Sequence, residues 1–461
     1  MPAAVPSLVL RLSGLIAHVM IKQTLLVAFV GLCSLAPGPA AAASAQDWTL
    51  CRNAKSPETV VARCTAVLNA APASDRRLIA YFSRGVAYQR LAWHGSAIAD
   101  YTEVLKLRPN EPRTLSNRGL AYTNKGELDR ALADFDRSLK IAPKAPDTYL
   151  NRGLAYYEMR NFAGAVADYS AALRFNPHDA KVIYTRGNAY SALGQSDRAM
   201  ADYNEAVRLA PKDPLAYYNR GNEYYDRGDV DRSLADFDSA LRFDPAYAFA
   251  YGNRARSYLA KRDLDRALAD YSRAIRLDPR NAIVYSGRGS VYLEKGDLDG
   301  ALADLDQSIG LDPHYVNAYV HRARVWSRKG DHARELADLE QRVRLQPSNA
   351  GGWNSLCWSR VLAGELEQAL DNCNESLRLE PGNGYALDSR GLVHLKLARF
   401  AEALADFDAA HARLPKMASA LYGRGLARQK QGDTAAGEAD IAAAKALKAD
   451  IAEEYVRYGV K

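Results

Sequence analysis

Residues 146–179 read PDTYLNRGLAYYEMRNFAGAVADYSAALRFNPHD, and residues 180–213 read AKVIYTRGNAYSALGQSDRAMADYNEAVRLAPKD. The two stretches are in register at a step of 34 residues. Arg152-Gly153 stands over Arg186-Gly187, Tyr156 over Tyr190, Ala165 over Ala199, Asp168 over Asp202, Tyr169 over Tyr203 and Pro177 over Pro211. Apolar and small residues recur at helical spacing on both sides of a short polar turn, which predicts two helices of about 13 residues in each stretch. Gly or Ala lets the paired helices approach, and the ring near the end of the second helix fills the space beside them. Proline closes the unit, because the residue before it is pushed out of the α region. A single hairpin of this kind cannot bury its apolar face, so neighbouring units must stack.

Outward from these two units the register continues in both directions. The Arg-Gly slot recurs at Arg84, Arg118, Arg220, Arg254, Arg288, Arg322, Arg390 and Arg424, always 34 residues apart, with Ala for Gly at Ala255 and Ala323. Leu356-Cys357 is the one interruption. A closing proline ends every unit but the last, from Pro109 to Pro415. Residues 78–451 are thus expected to form eleven repeats, and the fold class is all-α, an α-solenoid. Residues 46–77 carry a fragment in the same pattern (Ala62 to Pro72) and are expected to be a degenerate N-terminal capping half-repeat, with 452–461 as a C-terminal cap.

Period, slot pattern and the helix–turn–helix motif resemble the tetratricopeptide repeat family, in its exported bacterial type, over about four-fifths of the chain. The resemblance implies a right-handed superhelix whose first helices line a groove that holds a peptide or a partner's helix. Projecting the family's groove-lining slots onto this chain gives Tyr157, Tyr184, Asn188, Tyr218, Asn222, Tyr225 and Arg256, with Arg324 and Arg328 as a basic patch near His321. The same rings, read as a stacking platform, suit a polysaccharide- or peptidoglycan-associated adaptor as the alternative.

Two departures from the family pattern carry information. Arg occupies a slot where Leu is usual, and sixteen residues later stands an acid, as in Arg186 and Asp202. The unit without the Arg (Leu356) also lacks the acid (Asn372), so the two slots are expected to pair across each hairpin. That same ninth unit has Cys357 and Cys373 in the Gly and ring slots, which face each other. With Cys51 and Cys64 upstream, this makes two local pairs, expected as disulfides. Zinc favours shorter cysteine spacings than either pair offers.

Leu25–Leu35 is apolar and uncharged, and Ala43-Ser44-Ala45 precedes polar Gln46-Asp47. This is the pattern of a cleaved signal peptide over residues 1–45; a start at Met20 gives it an ordinary length and leaves Lys22 as the basic segment. Export to the periplasm or beyond, with no stable membrane span after cleavage, follows from that reading. Formal charge is +7, and without Arg11 and Lys22 it is 59 basic against 54 acidic side chains, +5. So small an excess gives no reason to expect nucleic acid as a partner. No phosphate loop, His-Glu-x-x-His or nucleophile elbow occurs, and the eight histidines are scattered. The sequence therefore reads as a binding scaffold for a protein or peptide rather than an enzyme, with no catalytic residue, cofactor or metal expected.

Overall fold

Polar turns and closing prolines cut the chain into helices where the 34-residue step places them. The computed structural model describes residues 44–460, and among them are 25 helices and no strand. All but the last two residues of the expected signal peptide lie outside the described residues. Repeat four is the pair Ala180–Ala192 and Ser196–Leu209, and repeat five is Pro214–Asp226 and Val230–Phe243. No described helix is long and apolar enough to cross a membrane.

Local chemistry sets the helix boundaries. Asp179 accepts hydrogen bonds from the Lys181 and Val182 amides, and Asp213 from the Leu215 amide with Pro214 in the first turn. Each hairpin turns through one left-handed residue, again at a step of 34. Seven of these are glycines, such as Gly126 at φ +82°; the others are Ala92, Arg160, Arg262 and Ala398, which adopt a backbone shape that costs an L-residue energy. Between repeats an aromatic ties down the closing turn. Tyr149, Tyr217 and Tyr319 donate their hydroxyls to the carbonyls of Pro143, Pro211 and Pro313, and Trp353 Nε1 donates to Pro347 at 2.8 Å.

Inside each hairpin the Gly and ring slots meet as expected. A Cβ at Gly119 would lie 2.6 Å from the Phe135 ring, and one at Gly153 would lie 2.5 Å from the Tyr169 ring. The rings themselves are sealed: Tyr101, Phe135, Tyr169, Tyr203, Phe237 and Phe407 are fully buried. The eleventh repeat, which has Gly437 and Ile441 in these slots, is not loose. A Cβ at Gly425 would lie 2.8 Å from the Gly437 carbonyl, so backbone approaches backbone where no ring stands between.

The Arg and Asp slots pair across the hairpins with two parallel bonds. Arg186 Nε and Nη2, for example, each donate to Asp202 at 2.8 Å. The remaining guanidinium nitrogen does something the sequence did not suggest: it reaches back to the preceding repeat. Arg152 Nη1 donates to Asp136 at 2.6 Å, Arg220 Nη1 to Asn204 at 3.0 Å and Arg390 Nη1 to Asn374 at 2.9 Å. The residue thus closes its own hairpin and couples it to its neighbour. In repeat nine Arg360, one helical turn after Leu356, takes over both tasks by donating to Asn372 and to Glu340, each at 2.7 Å.

Cys51 and Cys64 are joined at an S–S distance of 2.07 Å, and Cys357 and Cys373 at 2.02 Å. All four are fully buried. The segment ahead of the repeats is a shortened hairpin of two helices, Ala45–Asn53 and Pro57–Asn69, with the first bond between them. Contacts group the helices into two units, residues up to Lys261 and residues from Arg262, so the division falls in the turn of the sixth repeat.

Candidate partner-binding faces

The first helices of successive repeats lie side by side within each unit, and that closeness decides which of their side chains can meet a partner. Five residues projected onto the groove have little surface to offer. Tyr157, Tyr184, Tyr218, Asn188 and Asn222 are 6%, 2%, 1%, 5% and 3% exposed. They mortar one helix to the next instead. Tyr203 donates its hydroxyl to Asn188 Oδ1 at 2.8 Å, and Asn253 Nδ2 donates to the Tyr218 hydroxyl and to Asn222 Oδ1 at 3.0 and 2.6 Å. The Tyr157 ring packs edge-on against Phe162 at 5.1 Å. Burial holds the Tyr184 phenol far above its ordinary range. These side chains fill packed seams rather than facing outward: Tyr157 and Asn188 meet the second helix of their own hairpins, and Tyr218 with Asn222 meets Asn253 on the next first helix.

Tyr225 and Arg256 remain accessible. Tyr225 is half-buried, and the Arg256 guanidinium sits 4.1 Å from its ring centre and 3.9 Å from Asp226 Oδ1. A cation over a ring beside a carboxylate is a preformed polar-aromatic surface. In the second unit Arg324 is half exposed and donates to Glu294 at 3.3 Å. Arg328 is committed to the Leu293 carbonyl, at the end of the preceding repeat's first helix. Arg328 stays exposed and keeps its charge, so the basic patch holds Arg324 and Arg328 with Arg262, whose Nη2 is 3.6 Å from Glu294. His321 adds no charge to it, because burial and nearby Arg324 push the imidazole down to about 4.

Several functional-looking groups had no signature in the sequence. Glu223 is buried at 3% exposure, where it accepts from Ser191 at 2.8 Å and from Ser196 and lies 3.8 Å from Arg227. Asp388 is buried too; its Oδ2 accepts from Ser419 at 2.8 Å, and its Oδ1 has no partner among the described residues. Burial, opposed only by the Ser419 hydrogen bond, pushes that carboxyl up to about 7. Four rings, Trp358, Tyr422, Tyr455 and Tyr458, gather around the C-terminal helix Ile451–Arg457. Spacing could not have revealed it, because Trp358 and Tyr458 stand a hundred residues apart.

Among the described residues, no three His, Cys, Asp or Glu side chains come together as a metal site. His314 is exposed, and His332 lies 3.1 Å from Glu335 on its own helix. The arrangement as a whole is a lattice that holds chosen side chains at fixed spacing.

Family models agree with that lattice. Models described as tetratricopeptide repeat match residues 77–146, 253–316, 286–350 and 389–452, residues 121–186 and residues 214–247. One described as TPR repeat matches residues 187–222. No curated protein matches the sequence. Similar solved structures include a tetratricopeptide repeat protein from Parabacteroides merdae, 20% identical, covering 54% of this chain and 99% of that one with a TM-score of 0.46. Yeast Tom70 is 16% identical over 83% of this chain and 94% of its own, with a TM-score of 0.41. Another is the APC/C hetero-tetramer Cut9–Hcn1, 15% identical over 86% and 89%, with a TM-score of 0.42. At this level of superposition they say nothing about what the chain binds.

Proposed function

The chain belongs to the tetratricopeptide repeat family, and from that premise we propose that it is an exported protein–protein interaction scaffold, periplasmic or secreted, that holds a peptide or partner segment along its first helices. The observation that carries the binding half is the Tyr225, Asp226 and Arg256 cluster, in which a ring, a carboxylate and a guanidinium stand together on neighbouring first helices. Such a set offers apolar area, an acceptor and a donor within a few ångströms of each other. Arg324 is the second contact of this reading. The rings on which a polysaccharide would stack are largely the buried tyrosines, which favours the protein or peptide reading.

The two disulfides support the export half. Thiols this well paired stay reduced in a cytosol and oxidise outside it.

Site-specific photo-crosslinking in the producing cell tests the reading. A crosslinker placed at Tyr225 is expected to give a protein adduct in the envelope fraction that Arg256→Ala abolishes. An adduct unaffected by Arg256→Ala would refute the site. Chain found in the cytosol with residues 1–45 retained and four free thiols would refute export.

A further inference from the structure

The last repeat has no closing proline, and the chain does not run off into solvent. It forms the helix Ile451–Arg457, ends it at Gly459 with φ +78°, and lies against the first helices of three repeats. On repeat eleven, the Tyr455 hydroxyl donates to the Ser419 carbonyl at 2.7 Å and its ring stands 4.7 Å from that of Tyr422. On repeat ten, Lys396 Nζ donates to the Tyr458 carbonyl at 2.7 Å. On repeat nine, the Tyr458 ring meets Trp358 edge-on at 4.9 Å.

We propose that this face of repeats nine to eleven is a binding site for a short helix carrying two aromatic residues three positions apart, and that the chain's own C-terminal segment occupies it as a displaceable internal ligand. The proposal rests on the scaffold reading but concerns a different surface.

Three features separate this contact from a permanent cap. A seven-residue helix does not hold itself in water, so the segment is helical only while docked and leaves by local unfolding. Its anchors are unequal: Ile451 and Tyr455 are buried, Tyr458 only partly, and Val456 is 68% exposed, so the hold weakens toward the end of the segment. Lys396, moreover, is a half-buried ammonium whose bonds go to two neutral carbonyls, Val361 and Tyr458, and burial lowers its pKa. A cation held by backbone carbonyls alone is matched no better by the tail than by any helix ending there. A tethered occupant competes at high effective concentration, so an outside helix binds well only when the tail is out.

The test uses the full chain and a fluorescent synthetic peptide of residues 448–460, followed by anisotropy. Tyr458→Ala in the chain weakens the tail while Tyr455 stays in place. It is expected to raise the affinity for the added peptide at least tenfold over the unaltered chain. Adding Trp358→Ala to that variant is expected to remove the gain, as is replacing the peptide's own Tyr458 by Ala. Val456→Pro, which breaks the tail helix at an exposed position and leaves the repeats untouched, should reproduce the gain, and it replaces Tyr458→Ala if that chain misfolds. Equal affinity for altered and unaltered chains, or binding that survives Trp358→Ala, would overturn the proposal. The Tyr225 crosslink would be unaffected by either result, so the two readings fail separately.

Discussion

Removing the arginine of the Arg186–Asp202 pair should cost more than removing both partners. Arg186 grips the carboxylate through Nε and Nη2 at 2.8 Å each, and the two side chains are 23% and 11% exposed. Its Nη1 also reaches Ser170 of the preceding repeat at 3.3 Å. Arg186→Leu leaves the deeper group, Asp202, as a nearly buried charge without its cation, at a cost of roughly 2–4 kcal/mol. Asp202→Asn leaves a cation with some access to water and one acceptor still in place, at about 1–2 kcal/mol. The double variant loses the pair and the link to repeat three but strands nothing, at about 1–2 kcal/mol. The cycle therefore predicts a coupling of about 2–4 kcal/mol. An array of repeats need not melt in one step, so the free energies should come from native-state hydrogen exchange of amides in residues 180–209. Urea is the denaturant for a parallel check, since a guanidinium salt screens the interaction being measured. Effects that add within about 0.5 kcal/mol would show that the two residues do not act as a pair.

Two further outcomes follow from the packing. Gly119→Ala gains about 1 kcal/mol of helix propensity but drives a methyl to 2.6 Å from the Phe135 ring, and a net loss of about 1–2 kcal/mol is expected. Adding Phe135→Leu should recover most of it, as repeat eight pairs Ala323 with Leu339; failure of the rescue in a urea melt would refute the steric account. Asp388 titrates near 7 when folded against an ordinary 3.8, so the unfolded chain gives up this proton first as pH rises. Its contribution is complete below pH 3.8, falls through the interval up to 7, and is then level, the whole drop being at most about 4 kcal/mol. Asp388→Asn should remove that slope and leave the second unit more stable at pH 8 than the unaltered chain. Parallel stability profiles for the two proteins from pH 4.5 to 8 would contradict this.

The repeat was legible because each slot is a local demand. A left-handed turn residue, a capping Asp or Asn, a closing proline and a small residue opposite a ring all sit within one 34-residue unit. The Arg–Asp pairing was legible for a different reason: repeat nine loses both members together. Its replacement by Arg360 was not, because a guanidinium shifted by one helical turn reaches the same place while leaving the slot empty in the sequence. The exposure of the groove slots was not legible, because the pattern allowed two outcomes. Tyr184 and Tyr225 are both tyrosines on first helices, yet one fills the seam between helices and the other stays half-exposed beside Arg256.

The sequence by itself determined the helices, their number and step, and which slots face each other inside a hairpin, because those contacts are close in the chain and repeat with it. Only the tertiary structure decided what neighbouring hairpins do to each other. It set which aromatic rings vanish between helices, which arginine nitrogen crosses to the repeat before, and that Tyr458, after the C-terminal helix, turns back onto Trp358. These depend on the angle and distance between helices far apart in sequence, and no residue pattern within a single unit encodes them.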